Sequence, residues 1–298
     1  MNTITKNILL FPFNLLYVIS PKTELRLMFR LKQGYPLSLK NPQTFNEKLQ
    51  WIKLYDKNEW MPKCCDKYAV REYVEKMGCG DLLNTLYWHG TNPDDIPYDS
   101  LPEKFVIKVT HGSTFNIIVT DKSKLDKENV KKKLNKWLKA KFIPCYGEWF
   151  YGIVPPRIIV EQYLEDGHGA DLYDYKVFCF NGKAKLVDVH CGRFAEHKRN
   201  VYDLDWKLQD VRFKYENFDG IEKPAVFDEL IRRSELLSST FHHARVDFFI
   251  VNDKIYFGEI TFTNGAGFDQ IKPIDFDRKM GSWLELPLDH ESVIKSTR

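Results

Sequence analysis

Two tight-turn dipeptides limit what the C-terminal half of this 298-residue chain can fold into. Asn181-Gly182 and Asn252-Asp253 each lie between runs of apolar or alternating residues, and such dipeptides are typical of two-residue β-hairpin turns. A helix is predicted between the two hairpins, over 224–241. The predicted strands cover 157–163, 175–180, 184–189, 246–251 and 254–260. Antiparallel strands with few helices indicate an α+β fold.

The N-terminal part is predicted to be mostly helical. Apolar residues recur at intervals of three and four between residues 21 and 84, and Thr44 with Glu47 has the spacing of a capping box. Two short apolar runs around the turn at 111–114 predict another hairpin. We therefore expect a helical N-terminal region on the substrate side, then a small lobe and a C-terminal lobe. Their expected bounds are 1–100, 101–165 and 166–298.

Composition narrows the class of protein. Because 44 basic residues nearly balance 41 acidic ones, the formal net charge is only +3, and no general field favours nucleic acid. We expect no nucleic-acid partner. The six cysteines include no C-x-x-C pair and no zinc-ligand spacing. They predict reduced thiols, which favour a cytoplasmic location.

An apolar segment at residues 7–19 is short of the roughly 20 residues that span a bilayer, and Pro12 interrupts it. It also lacks the small-residue cleavage site of a secretion signal. Two interpretations remain. The segment is either a helix packed on the body of the protein or a helix lying on a membrane face. The second would hold a cytoplasmic protein at the inner face of the membrane.

Two acidic residues lie inside the strands of the last predicted hairpin. Asp247 and Glu259 come side by side if the strands pair through the turn, and buried carboxylates require a positive partner. Mg²⁺ bridging nucleotide phosphates would supply that charge; ion pairs with Arg245 or Lys254 are the alternative. The polar, glycine-containing loop 261–268 directly after Glu259 favours a charged ligand.

Two further segments have the composition of a nucleotide site. Lys108 lies in a predicted strand before the turn 111–114, where an ammonium group and backbone N–H groups can surround one phosphate. An edge-strand lysine is the alternative. His111 is either a phosphate contact or a turn cap. Glu161–Leu164 ends a strand, and such a segment can offer backbone groups and a carboxylate to an adenine edge.

Taken in order, these residues resemble the ATP-grasp superfamily, and within it the TupA-like branch found among bacterial surface-polysaccharide genes. The resemblance extends from residue 20 to residue 285. Asp66-Lys67 opens a helix that ends at Gly78, and a second lysine, Lys108, follows on a strand before the phosphate turn. The segments 44–51 and 66–73 are the ones that resemble the TupA-like branch in particular.

The resemblance implies an ATP-grasp fold, in which two α+β lobes clamp ATP beside the helical N-terminal region. Asp174 would meet the ribose, and Lys176 and Arg193 would face the triphosphate and the acyl phosphate. The implied ATP-binding residues are Lys67, Lys108, His111, Gly112, Ser113, Glu161, Gln162, Tyr163, Leu164, Asp174 and Lys176. The implied Mg²⁺ ligands are Asp247, Glu259 and Thr261. The family commonly has Asn at the position of Thr261, so the third ligand is either Thr261 or Asn264.

The implied reaction is the ADP- and phosphate-forming ligation of a carboxylate to an amine. ATP phosphorylates the carboxylate to an acyl phosphate, and the amine attacks it to give an amide. Mg²⁺ and lysines neutralise the transferring phosphoryl group, and Arg193 stabilises the oxyanion. The implied catalytic residues are Arg193, Lys176 and Lys108.

The implied substrates are an amine or amino acid and a carboxylate, such as a uronic acid of a capsular or other surface polysaccharide. Asn46, Glu47, Lys48 and Arg71 are the candidates for recognising them. Three alternatives stay open: a kinase of a sugar or glycan, a glycosyltransferase of polysaccharide biosynthesis, and a nucleotide-binding protein without turnover.

Overall fold

The computed structural model describes residues 3–166, 172–192, 196–212 and 215–288. Its helices are α1 (Thr3–Ile19), α2 (Pro21–Gln33), α3 (Phe45–Tyr55), α4 (Trp60–Cys64), α5 (Val70–Lys76), α6 (Lys127–Leu138), α7 (Phe227–Ser238) and α8 (Ile274–Trp283). Its strands are β1 (Leu86–Gly90), β2 (Phe105–Val109), β3 (Asn116–Val119), β4 (Ile158–Gln162), β5 (Asp174–Phe180), β6 (Lys183–Cys191), β7 (Lys198–Tyr202), β8 (His243–Val251) and β9 (Lys254–Thr261).

These strands form two antiparallel sheets, which confirms the α+β prediction. The first sheet has the order β1-β4-β2-β3, and the second has the order β7-β6-β5-β8-β9. β1 lies within the predicted N-terminal region, yet it pairs with β4 of the small sheet. The N-terminal region therefore contributes one strand as well as helices.

The hairpin turns have the backbone conformation that their residues favour. Asn181 and Gly182 have φ of 47° and 76°, and Asn252 and Asp253 have φ of 49° and 59°. Two successive residues with positive φ make the type I′ turn, whose twist matches that of the flanking strands. The predicted pairings of β5 with β6, β8 with β9 and β2 with β3 are all confirmed.

The register of the large sheet brings charged residues onto one face. Lys176 lies opposite Asp188 on one side and Asp247 on the other, and Asp247 lies opposite Glu259. Residues paired across strands point to the same face. The alternate residues, such as Val177 and Val246, face the hydrophobic core. One side of this sheet is thus apolar and the other is strongly polar.

An irregularity in register follows Asp247, where β8 and β9 are locally out of step. Gly258 lies there, and a Cβ atom on it would come within 2.9 Å of the backbone oxygen of Asp247. The bulge therefore requires glycine, because any larger residue would push apart the two strands that carry Asp247 and Glu259.

The two sheets belong to different hydrophobic cores. The large sheet shares its core with the N-terminal helices: the ring of Phe45 in α3 contacts Phe180 at 5.6 Å, and Tyr73 in α5 contacts Phe241 at 5.5 Å. The small sheet packs on α6 through a separate core that includes Phe105 and Leu134. The helical region and the C-terminal lobe consequently form one packed body beside the small lobe.

Helix α3 is bound tightly to other parts of this body. The predicted capping box is confirmed, since Thr44 Oγ1 accepts from the Glu47 backbone at 3.1 Å and Glu47 Oε2 accepts from the Thr44 backbone at 3.0 Å. Asn46 Nδ2 donates to Asp277 Oδ2 at 3.0 Å, and Lys48 Nζ donates to the Leu284 carbonyl at 2.5 Å. Three of the candidate substrate-recognition residues thus bind groups of the protein itself.

Helix α1 continues through Pro12. None of the helices in the described ranges has both the length and the apolar character needed to cross a bilayer. Several large apolar side chains of α1 are nevertheless exposed, including Phe11 and Val18.

A buried glutamate in α2 generates a prediction about stability. Glu24 is fully buried and its two carboxylate oxygens have no hydrogen-bond partner among the described residues. Burial raises its pKa to about 7, against a smaller opposing effect of Lys53. Between pH 4.5 and 7 the folded state therefore binds more protons than the unfolded state, and the free energy of unfolding falls as pH rises.

We expect Glu24→Gln to remove this pH dependence of the free energy of unfolding. The dependence amounts to about 3 kcal/mol, because each pKa unit corresponds to about 1.36 kcal/mol. Urea unfolding of wild type and variant at pH 5 and pH 8 measures it, with exposed Glu59→Gln as control. An identical pH dependence in wild type and Glu24→Gln would contradict the assignment.

Candidate functional site

The centre of the polar sheet face is a buried carboxylate held by two cations. Arg245 Nε donates to Asp247 Oδ1 at 2.6 Å, and Arg245 Nη2 donates to Asp247 Oδ2 at 2.6 Å. Lys176 Nζ donates to Asp247 Oδ2 and also forms a 2.7 Å ion pair with Asp174. Burial alone would raise the pKa of Asp247, but Arg245 and Lys176 hold it below its usual value.

The same guanidinium contacts all three predicted metal ligands. Besides Asp247, Arg245 Nη2 lies 3.1 Å from Thr261 Oγ1 and 3.6 Å from Glu259 Oε1. Of the two alternative ion-pair partners, Arg245 is therefore used, whereas Lys254 lies over the ring of Tyr256 at 4.8 Å. Oxygen atoms from β8 and β9 thus converge on one positive charge.

The donor set around Arg245 is chemically suited to Mg²⁺, since it consists of two carboxylates and a hydroxyl. In the described ranges no group of three or more His, Cys, Asp and Glu side chains could hold a metal ion. A cation here would therefore need further oxygens, such as those of phosphates. Thr261 shares the Arg245 cluster, while the Asn264 side chain lies beside His243.

The polar face continues beyond Lys176 with residues that the sequence analysis did not identify. Arg199 Nε donates to Asp188 Oδ1 at 3.0 Å, and His190 Nε2 is 2.9 Å from Asp188 Oδ2. His190 Nδ1 is in turn 2.9 Å from His197 Nε2. Burial opposes the charge on Asp188, but Arg199 and His190 lower its pKa.

Lys67 binds the turn that follows β2. Its backbone N–H donates to the Thr110 carbonyl at 3.1 Å, and its Nζ donates to the Gly112 carbonyl at 2.9 Å. A Cβ atom on Gly112 would lie 2.0 Å from the Phe115 ring, so the turn requires glycine there. Ser113 is exposed at the tip. The structure therefore places Lys67 against the turn that carries Gly112 and Ser113.

Lys108 and Glu161 were predicted separately and lie together in the small sheet. Lys108 Nζ is 2.7 Å from Glu161 Oε2, and Arg71 Nη1 is 3.8 Å from Glu161 Oε1. The backbone of Gln162 is bound on both sides, since its N–H donates to Thr85 and its carbonyl accepts from Asn84. Half-buried Tyr163 and Leu164 follow it.

His111 is anchored beside the same turn. Its Nε2 is 2.9 Å from the Ala140 carbonyl, and its ring contacts Phe115 and Phe142. Its other ring nitrogen, Nδ1, is buried without a hydrogen-bond partner among the described residues. A phosphate contact of His111 stays a prediction.

Arg193, the predicted oxyanion-stabilising residue, lies outside the described residues. The sequence analysis treated Arg245 only as an ion-pair alternative, although the structure places it at the centre of the site. The sequence does contain a signal for the position of Arg245. Arg245 precedes Asp247 by two residues in a strand, and this spacing puts both side chains on one face.

Comparison with known proteins gives the family. Residues 47–285 match the family described as TupA-like ATPgrasp. This range includes both sheets and every residue predicted to bind ATP or Mg²⁺ or to take part in catalysis. The observed α+β architecture with two antiparallel sheets agrees with the ATP-grasp fold predicted from the sequence. No curated protein shows significant sequence similarity to the chain.

Solved structures with a similar fold include three ligases. A D-alanine–D-alanine ligase from Bacillus anthracis is 16% identical, with 78% of this chain and 66% of that chain covered and a TM-score of 0.44. An L-amino acid ligase from Bacillus licheniformis is 15% identical, with 69% and 42% covered and a TM-score of 0.42. Phosphoribosylamine–glycine ligase from Thermotoga maritima is 13% identical, with 70% and 50% covered and a TM-score of 0.40. The chain spans less than two thirds of each.

The charge network predicts unequal effects for two lysines. Lys176→Met removes the ammonium group between buried Asp174 and Asp247, and breaking a buried ion pair costs about 3–5 kcal/mol. Lys108→Met removes a more exposed partner of Glu161, and we expect a loss of about 1 kcal/mol or less. Urea unfolding of the two variants measures both values. Equal losses of unfolding free energy in the two variants would contradict the inference that Lys176 neutralises two buried carboxylates.

Proposed function

The chain belongs to the TupA-like ATP-grasp family, and from this we propose that it is an ATP-dependent ligase joining a carboxylate to an amine through an acyl phosphate. The observation that carries the proposal is the convergence of Asp247, Glu259 and Thr261 on Arg245, next to Lys176. This cluster combines oxygen donors for a cation with fixed positive charges for a phosphoryl group.

ATP is the proposed nucleotide substrate. The turn carrying Gly112 and Ser113, held by Lys67, would take its phosphates through backbone N–H groups and the lysine. Glu161, with the segment Gln162–Leu164, would take the adenine, Lys108 would face a phosphate, and Asp174 would take the ribose. The ion pair between Lys108 and Glu161 supports this proposal, because it places an ammonium group and a hydrogen-bond acceptor side by side in the small sheet.

Asp247, Glu259 and Thr261 would hold Mg²⁺, which neutralises charge on the phosphoryl group when bound. Lys176 is held between Asp174 and Asp247 and therefore presents its ammonium group at a fixed position. Arg245 donates to oxygens of the same cluster, so its guanidinium is placed to stabilise an oxyanion beside them, in addition to the role proposed for Arg193.

We also propose the chemical class of the two substrates. The amine would be an amino acid or another small amine, and the carboxylate a uronic acid of a bacterial surface polysaccharide. The choice of a uronic acid rests on the surface-polysaccharide setting of the TupA-like proteins that the sequence resembles. A sugar kinase and a polysaccharide glycosyltransferase remain the competing functions, and product analysis separates them.

The first test is the substrate dependence of phosphate release. A ligase releases free phosphate from ATP only when carboxylate and amine are both present. We expect this from a screen of amino acids against uronates with Mg²⁺. Phosphate retained on a sugar would identify a kinase, and sugar transfer from a nucleotide sugar would identify a glycosyltransferase; either would overturn the proposal.

Glu259→Gln tests the metal assignment. The Glu259 side chain is 45% exposed, so we expect the variant to fold. Because it loses one proposed carboxylate ligand of Mg²⁺, we expect it to lose more than about 99% of turnover, which corresponds to a loss of several kcal/mol of transition-state stabilisation. Exposed Glu72→Gln, which disrupts only a surface pair with Lys63, serves as matched control. Unchanged turnover in Glu259→Gln would remove Glu259 from the site.

We also propose that the protein is cytoplasmic and contacts the inner face of the membrane through α1. Exposed apolar residues occur along α1, and α2 adds Leu27 and Leu31. The exposed charged residues of α2 are all basic, because its glutamate is buried. This combination is typical of helices that lie on anionic bilayers. Among residues 9–19 of α1, the exposed large apolar residues are Leu9, Phe11, Leu15, Val18 and Ile19.

Co-sedimentation with phosphatidylglycerol vesicles tests this contact. We expect binding by wild type and at least about a tenfold loss for the double variant Phe11→Ser with Leu15→Ser, since each removed apolar side chain is worth about 1.5–3 kcal/mol. Leu236→Ser, an exposed residue of α7, is the control. Equal sedimentation of wild type and double variant would exclude α1 as the membrane contact.

A further inference from the structure

An irregular segment between α6 and β4, residues 139–157, is fixed at several points. The Ala140 carbonyl contacts His111, the Tyr146 carbonyl accepts from Lys53 Nζ at 2.7 Å, and Trp149 Nε1 donates to the Asp56 carbonyl at 3.2 Å. The segment thus contacts both the phosphate turn of the small lobe and the helices of the N-terminal region. Side chains on it are held in place although it has little regular structure.

Glu148 lies in this segment, against the loop that follows the proposed metal ligands. Thr263 Oγ1 donates to Glu148 Oε1 at 2.5 Å. Thr263 is buried and follows Thr261 by two residues. The hydrogen bond therefore fixes the Glu148 carboxylate beside the end of β9 that carries Glu259 and Thr261.

The Glu148 carboxylate lacks a direct cationic partner. Within the described part of the chain, no lysine, arginine or histidine forms an ion pair with it within 4.0 Å. Lys53 acts on it only at longer range, since its ammonium group donates to the carbonyls of Tyr146 and Ala266. Burial raises the pKa of Glu148, and Lys53 and Thr263 only partly oppose this effect. A shielded carboxylate of this kind is costly unless a cation binds it.

Tyr151 follows Glu148 by three residues in the same segment and is half-buried. Its backbone N–H donates to the Glu148 carbonyl at 3.2 Å, and its ring is stacked on Phe142 at 4.4 Å, which holds it in position. Burial raises the pKa of Tyr151, and Cys65, Glu148 and Glu259 raise it further, with Arg245 opposing. Glu148 and Tyr151 are therefore neighbours in one segment, which the Thr263 hydrogen bond ties to the end of β9.

We propose that Glu148 binds the ammonium group of the amine substrate, with Tyr151 beside it, and so sets the enzyme's selection for primary amines. The inference rests on the proposed ligase function. A primary ammonium has three N–H donors and a positive charge, which a carboxylate and a hydroxyl oxygen satisfy. Because Glu148 is fixed by Thr263 next to the metal ligands, the amine is held where the acyl phosphate forms.

Binding and kinetics together test the site. Isothermal titration with ethylammonium chloride, in the presence of Mg²⁺ and a non-hydrolysable ATP analogue, measures the ammonium site without turnover. We expect wild type and Glu148→Asp to bind it and Glu148→Gln to lose it by about tenfold or more, as for loss of a charge-assisted hydrogen bond. Tetramethylammonium, which has no N–H donor, is the control ligand.

In the ligase assay, Glu148→Gln should raise the KM for the amine by the same factor and leave the KM for ATP unchanged. Glutamine keeps an oxygen for the Thr263 hydrogen bond, so a purely structural role predicts no selective change. Equal ethylammonium binding by wild type and Glu148→Gln, absence of binding to wild type, or a parallel rise in the KM for ATP overturns the proposal.

The binding and kinetic experiments distinguish a wrong assignment of the amine site from a wrong assignment of the ligase function. Ethylammonium binding that depends on Glu148, without phosphate release from any carboxylate and amine pair, retains the site and rejects ligation. Amine-dependent phosphate release with an unchanged KM in Glu148→Gln retains ligation and rejects the site.

Discussion

The arrangement of the site depends on one buried carboxylate, Asp247, and the two cations that hold it. Asp247 is only 2% exposed, and a carboxylate in that position is tolerated because Arg245 and Lys176 both donate to it. Removing one partner of such a network leaves an uncompensated buried charge. The sheet register, the bulge at Gly258 and the polar face of β5 and β8 all serve to bring these three side chains together.

Helix α3 determines the shape of the loop after β9. Gln50 Nε2 donates to the Gly267 carbonyl at 2.8 Å, and Lys53 Nζ donates to the Ala266 carbonyl at 2.8 Å. Ala266 has a positive φ of 55°, which is unfavourable for a residue with a side chain, so the loop needs such external support to keep its conformation. Gln50, in the segment that resembles the TupA-like branch, and Lys53, one turn further along α3, therefore both support the loop after β9. Thr263, which donates to Glu148, lies in the same loop.

Much of the fold follows from local sequence signals, whereas part of the site does not. Asn252-Asp253 specifies its turn by itself, but the turn alone would put Asp247 opposite Gly258, and the bulge at Gly258 is what brings Asp247 opposite Glu259. Arg245 was also within reach of sequence reasoning, because its spacing from Asp247 is that of one strand face. Glu148 carries no local signal, since its position results from the hydrogen bond with Thr263, which is distant in sequence.

Two elements were not predicted for similar reasons. β7 has the sequence Lys-Arg-Asn-Val-Tyr, whose alternation is weak, and its place beside β6 depends on the Arg199–Asp188 contact. Helix α8 is short, and it is held against α3 by the bonds between Asn46 and Asp277. In both cases a tertiary contact, and not the local pattern, decides the structure.

The most direct measurement of the proposed chemistry is oxygen transfer from the carboxylate to phosphate. If the carboxylate attacks the γ-phosphorus of ATP and the amine then displaces phosphate from the acyl phosphate, one carboxylate oxygen leaves with that phosphate. A uronate labelled with ¹⁸O in its carboxyl group, incubated with ATP, Mg²⁺, the amine and the protein, should yield phosphate carrying one ¹⁸O atom by mass spectrometry. Release of unlabelled phosphate together with the amide would contradict an acyl-phosphate route.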